Sequence, residues 1–246
     1  MTLAGAIGVE GGVVSVVGAG GKKSTLYRLA AELERAVVTA TVRIPIFDAH
    51  VARVAVTTEP TPVLDRVDPA SWPLGLVPSR EREDRYLGYD PAVVDRLADH
   101  PAVGTVLVKA DGARMRKFKA PSEDEPRIPS TSTMVVPVAS VHAIGAPLGD
   151  DVVHRVERVR AITGLERGDP ITPEAVATVV ASPEGGHKGV PAGATVVPLL
   201  NMVDDADLER VAMRAAAAIL ERCDAPRVVL SQLTSTNPVV DVVVRD

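Results

Sequence analysis

The stretch Val13-Val14-Ser15-Val16-Val17-Gly18-Ala19-Gly20-Gly21-Lys22-Lys23-Ser24-Thr25 decides the fold. Val13 to Val17 is rich enough in β-branched residues to form a buried strand, and Leu26, Leu29, Ala30 and Leu33 then recur at helical spacing. Glycines between a strand and a helix let backbone N–H groups converge on an anion, and the helix start adds its positive dipole end. Gly18, Ala19, Gly20, Gly21, Lys22, Lys23, Ser24 and Thr25 are therefore candidate ligands of a nucleoside triphosphate, GTP or ATP. Lys22 can reach the terminal phosphates, and Ser24 can offer its hydroxyl to Mg²⁺. The regular spacing G-x-x-x-x-G-K-[ST] is not met. With Gly21-Lys22 as its G-K pair, Val16 stands at the first glycine and Lys23 at the hydroxyl. The dinucleotide pattern G-x-G-x-x-G fails at Lys23 as well, and Thr39-Ala40-Thr41 lacks the acid that would hold a ribose. NAD and FAD are disfavoured; a bare glycine turn with no ligand is the plain alternative.

Outward from this stretch, strand and helix patterns alternate. Strands are expected at 36–40, 53–58 (an edge strand on one reading), 105–108, 134–138, 195–200, 227–230 and 239–244. Helices are expected at 24–35, 91–99, 151–163, from 172, and at 205–222. Residues 59–90, with five prolines and a charged run at 80–85, and residues 113–133 are expected as irregular excursions. The chain is thus predicted to be a single α/β nucleotide-binding domain over 1–246. Its expected form is a three-layer sandwich on a mostly parallel sheet, like a phosphate-loop NTPase, with ligands at the carboxyl ends of the strands.

Composition narrows the function. Among 246 residues, 46% are hydrophobic and 24% charged, which fits a globular chain. Aromatics are only 2%, so Val, Ala and Leu must fill the core. With 27 basic and 32 acidic residues the net charge is −5, so no global field favours nucleic acid or an anionic membrane. One cysteine, Cys223, excludes an internal disulfide and a cysteine cluster for zinc. No apolar run reaches a membrane span, and the first residues lack a signal-peptide pattern, so a soluble cytoplasmic protein is expected.

Two further constellations carry chemistry. Asp111 ends the strand at 105–108, where phosphate-loop enzymes hold Mg²⁺ or its water; alternatively it caps a turn with Gly112. Asn201-Met202-Val203-Asp204 has the N-x-x-D form that reads guanine, with Ser231-Gln232-Leu233 as a base-supporting loop; alternatively Asn201, Asp204 and Asp205 cap the next helix. The charged run Arg114 to Glu125 is either a solvated loop or a segment in which one Arg or Lys completes the phosphate site or docks an anionic partner. No histidine pair shows metal-ligand spacing.

Taken together, Val17 to Lys22, Ala110-Asp111-Gly112-Ala113-Arg114, Lys119-Ala120-Pro121, Glu125 to Pro129, Gly168 to Glu174, Pro183-Glu184-Gly185, Lys188 to Pro191 and Leu200-Asn201 resemble the YqeC-type family. Its members are named as accessory factors for selenium-dependent molybdenum hydroxylases. The resemblance implies a nucleotide-binding accessory protein, a slow NTPase, whose partner is a molybdenum hydroxylase or its cofactor precursor. The chain departs from the family pattern at Lys23, where threonine is usual, at Thr39 to Val42, at Lys109 and at Met202. Two other classes stay open: a small-molecule kinase or nucleotidyl-transferring enzyme acting on a cofactor precursor, and a non-hydrolysing partner-binding module.

Overall fold

The computed structural model describes residues 1–245. Ten strands form the main sheet: β1 (Gly12–Gly18), β2 (Ala36–Ala40), β3 (Arg53–Val56), β4 (Leu74–Val77), β5 (Thr105–Lys109), β6 (Ser132–Ser140), β7 (Thr195–Val196), β8 (Leu199–Asn201), β9 (Arg227–Ser231) and β10 (Val239–Val244). Their order is β10-β9-β8-β6-β1-β5-β2-β4-β3, with β7 beside β6. Every pairing is parallel except β9 with β10.

Seven helices accompany the sheet: α1 (Leu3–Ile7), α2 (Lys22–Glu32), α3 (Thr61–Leu64), α4 (Pro91–Ala98), α5 (Val156–Thr163), α6 (Pro173–Ala181) and α7 (Ala206–Leu220). The pleat sorts side chains to the two faces. Val14, Val16, Val38 and Leu107 pack with α1 and α2, whereas Val13, Val37, Val106 and Val108 pack with α3 and α4. On that second face, Leu200, Val228 and Leu230 meet α5, α6 and α7. This is a three-layer α/β sandwich, and each fully buried Val or Leu contributes about 1.5–3 kcal/mol. No helix among the described residues is long and apolar enough to cross a membrane.

The segment 59–90 corrects the sequence reading. It contains β4, which is wholly buried and hydrogen-bonded between β2 and β3. Pro73 and Pro78 flank only four residues, so a central strand is disguised as part of a proline-rich loop. The rest of this segment supplies Arg80–Arg82 and Arg85–Tyr86, which pair with each other and with Ile44–Pro45 in a small second sheet. Residues 53–56 do form an edge strand. The helix expected from Asp151 starts at Val156, because Val153–His154 first pairs with Phe118–Lys119. The strand expected at 195–200 is divided between β7 and β8 by Val197-Pro198.

Chain direction across the sheet reverses at β1. From there the chain moves to β2, β3 and β4 on one side, returns through β5, and then crosses β1 to β6 on the other. A crevice at the carboxyl ends is expected at such a switch point, and the glycine turn lies there.

Candidate functional site

The loop after β1 is shaped by what surrounds it. Gly18 has φ +91° and Gly20 φ +84°, left-handed values that glycine adopts without strain. A Cβ on Gly18 would lie 2.2 Å from the Val138 carbonyl oxygen, and one on Gly20 would lie 2.5 Å from Ser140 Cβ. These glycines therefore let the loop pack directly on the end of β6. Helix α2 begins at Lys22, two residues earlier than its apolar pattern suggests, and no side chain caps its N-terminus. Its first N–H groups have no intrahelical acceptor, which leaves them for a ligand or water.

Asn201, 4% exposed, fixes this loop from the end of β8, two strands from β1. Its Nδ2 donates to the Gly20 carbonyl at 2.8 Å, while Oδ1 accepts from Ser231 Oγ at 3.2 Å and Leu233 N at 3.3 Å. The glycine loop and the loop after β9 are thus held through one amide. Asp204 sits apart: Oδ2 is 2.8 Å from His142 Nε2, and Oδ1 accepts from Gln232 Nε2 at 3.1 Å. The cap of α7 is Asp205, which accepts from Leu208 N at 2.8 Å. Neither Asn201 nor Asp204 caps that helix.

Asp111 is 1% exposed and lies between two ammonium groups. Lys119 Nζ is 2.8 Å from Oδ2, Lys22 Nζ is 3.0 Å from Oδ1, and Gly18 N donates to Oδ2 at 2.9 Å. Lys22 also donates to the Gly18 carbonyl. Lys119 continues to Glu125 at 2.9 Å and to the Gly112 carbonyl at 2.6 Å, and Arg155 pairs with Glu125 at 2.7 Å. Burial disfavours an ionised Asp111, but Lys22, Lys119 and the Gly18 N–H outweigh it and hold the carboxyl below its ordinary range. Burial pulls the Lys22 ammonium below its ordinary value despite Asp111. The charged run at 114–125 divides here: Lys119 and Glu125 belong to this buried network, while Arg116 and Asp124 make no ion pair among the described residues.

Beside this cluster opens a cleft of about 370 Å³, within the range for small-molecule sites. Gly20, Gly21, Lys22, Lys23 and Ser24 form one wall, and Gly112 to Met115 with Met202 form another. Pro45 and Arg85 come from the small second sheet, Arg43 from the residue just before it, and Lys109 from the end of β5. Among the described residues six basic side chains line it, with no carboxylate and no histidine. Lys109 donates to the Arg43 carbonyl at 2.8 Å and the Asp111 carbonyl at 2.7 Å, and burial, then repulsion from Lys22, brings it down to about 7. Thr25, buried, donates its hydroxyl to the Gly21 carbonyl at 3.2 Å.

The charged groups lining this cleft are all cations, a set of the wrong sign to hold Mg²⁺. Ser24 lines the cleft, whereas Asp111 does not. Asp111 Oδ1 lacks an aligned hydrogen, yet the Lys22 ammonium already stands where a cation would bind it. Among the described residues, no group of three or more His, Cys, Asp or Glu is placed to hold a metal ion.

A family model described as YqeC protein matches residues 14–157. The chain belongs to the YqeC family. Its relative in Escherichia coli (strain K12), named uncharacterized protein YqeC, is 32% identical over 202 residues, covering 77% of this chain and 75% of that one. No solved structure matches the chain. The segment matched by the family model carries the glycine loop, all six cleft cations and the whole Asp111 network; Asn201 and Asp204 lie beyond it.

Arg43, Arg85 and Lys109 are functional candidates that sequence reasoning missed. Arg43 and Arg85 are 42 residues apart and meet only through the pairing of Ile44–Pro45 with Arg85–Tyr86. Lys109 carried a signal, a lysine ending a run of buried strand residues two positions before Asp111.

Proposed function

We propose that this protein binds a nucleoside triphosphate in the cleft at the carboxyl ends of β1 and β5, and that it acts as an accessory factor rather than a fast enzyme. The observation that carries the reading is the convergence of six cations and an uncapped helix N-terminus on one carboxylate-free cleft. An anion there gains charge-assisted hydrogen bonds from Lys and Arg and the favourable end of the helix dipole. Lys22 would exchange its contact with the Gly18 carbonyl for a phosphate oxygen.

Turnover would be slow, because no carboxylate or histidine lines the cleft to orient a water or take its proton. The base would lie toward Met202 and the loop after β9. Guanine is the proposed choice, since a carboxylate at Asp204 can accept from guanine's two N–H donors and offers adenine nothing equivalent. Asp205 and not Asp204 caps α7; the Asp204 carboxylate meets His142 and Gln232, contacts that guanine would have to replace or share. Family resemblance supplies the proposed setting, maturation of a selenium-dependent molybdenum hydroxylase.

The test is displacement of a labelled nucleotide by GTP and ATP, with and without Mg²⁺. Saturable binding with GTP favoured roughly tenfold or more is expected. Absence of saturable binding under all four conditions overturns the proposal, and equal displacement by ATP overturns the guanine assignment alone.

A further inference from the structure

We propose that the cleft takes its oligophosphate as the metal-free anion, with Lys23 and Lys109 supplying the positive charge that a divalent ion would otherwise bring; this rests on the nucleotide reading above. A nucleotide site that uses Mg²⁺ needs oxygen donors facing the phosphates, commonly a hydroxyl and a carboxylate. Here the charged groups on the walls are all cations, and Ser24 is the hydroxyl among the lining residues. The strand-end carboxylate, Asp111, is sealed behind the loop with an ammonium against each oxygen.

The six cations are not equally committed. Arg43 is matched by Glu81, with Nε 2.8 Å from both carboxylate oxygens, and Lys22 is matched by Asp111. Arg85 lies 3.4 Å from Asp84. Lys23, Lys109 and Arg114 pair with no carboxylate among the described residues. Lys109 is also fixed in place: it is 7% exposed, two carbonyls take two of its hydrogens, and one remains on a side chain that lines the cleft. A buried lysine held by carbonyls and left without a counter-ion is an anion site in waiting. Mg²⁺ would cancel two of a triphosphate's charges; in this cleft the ammonium groups of Lys23 and Lys109 cancel the same two, the incoming phosphate restoring the proton that burial draws from Lys109. An incoming divalent ion would instead meet a field of cations with no carboxylate to receive it.

The experiment titrates the intact protein at neutral pH with GTP, ATP and inorganic tripolyphosphate, each in excess chelator and in excess Mg²⁺. Chelated ligands are expected to bind wild type within about threefold of their Mg²⁺ complexes, or more tightly. Lys23→Thr and Lys109→Gln should each weaken chelated binding by roughly tenfold, and weaken binding of the Mg²⁺ complexes less. Tripolyphosphate should follow the same pattern, because the claim concerns the phosphate chain and not the base. If chelator weakens wild-type binding by roughly tenfold or more, the metal-free site is wrong while nucleotide binding stands. Tripolyphosphate that binds only with Mg²⁺ overturns it as well. If none of the three ligands binds under either condition, the nucleotide reading itself falls, and this inference with it.

Discussion

Two groups of lysines lie a few residues apart and are built to opposite ends. Lys22 and Lys119 are buried against Asp111, with Glu125 and Arg155 extending the network. Lys23 and Lys109 line the cleft and meet no carboxylate among the described residues. The first group spends its charge on holding the loop, β5 and residues 112–125 together. The second has no such partner among the described residues. A lysine's position in a motif therefore says less about its role than whether an anion of the same chain already answers it.

The widest break in this comparison should come from Asp111→Ala. It leaves two ammonium groups buried and facing each other, which costs about 3–5 kcal/mol when one partner of a buried pair is removed. For a chain of this size the melting temperature should fall by roughly 10 °C, read by thermal denaturation. A loss under about 1 kcal/mol would show that the cluster is solvated and that the two groups of lysines are alike.

Asn201→Ala should come next, at about 2 kcal/mol, because it strips hydrogen-bond partners from the Gly20 carbonyl, Ser231 and Leu233. Chemical denaturation measures the stability loss, and triphosphate affinity should fall with it as the loop loses its brace. Unchanged stability would separate the loop from β8 and β9.

A subtler effect comes from His154, which flanks the buried cluster on the strand paired with Phe118–Lys119. Burial, then Arg155, Lys119 and Arg114, push its pKa from the ordinary 6.5 down to about 4. In the unfolded chain the imidazole takes its proton near 6.5, whereas the folded chain refuses it until about 4. The unfolded state therefore binds more protons across that window, and this residue's contribution to stability is present above 6.5 and is lost as pH falls toward 4. His154→Gln should flatten that part of the curve of melting temperature against pH; an unchanged slope would show that the cluster's field does not reach the imidazole.

Lys23→Ala should have the smallest effect on stability, within about 0.5 kcal/mol by denaturant titration. A larger loss would place Lys23 with the structural lysines and erase the distinction.

Much of this architecture is legible because β-branched runs such as Val13–Val17 and Val106–Val108 have nowhere to go but a buried parallel sheet. β4 is not, since Leu74-Gly75-Leu76-Val77 is short, carries a glycine and stands between prolines. The glycine loop and the strand-end position of Asp111 are also legible, from local order alone. What fills the space around them is not. Lys119 and Glu125 look like a self-compensating surface run until the chain folds Lys119 back onto Asp111. Asn201 reads as a base contact or a cap, but its amide is consumed by the loop and by the end of β9. Such partners are set by topology, which spacing along the chain does not encode.

The Asn201 amide and the Gly20 carbonyl that it holds are 181 residues apart. During synthesis the glycine loop emerges long before the residue that steadies it, so the loop must wait for roughly three-quarters of the chain. Contacts of that separation are closed late and raise contact order, which slows folding. A ligand that favours the braced loop would bind only finished chains and would draw the last docking step to completion by mass action. For the proposed nucleotide, supply would then act on the yield of folded protein.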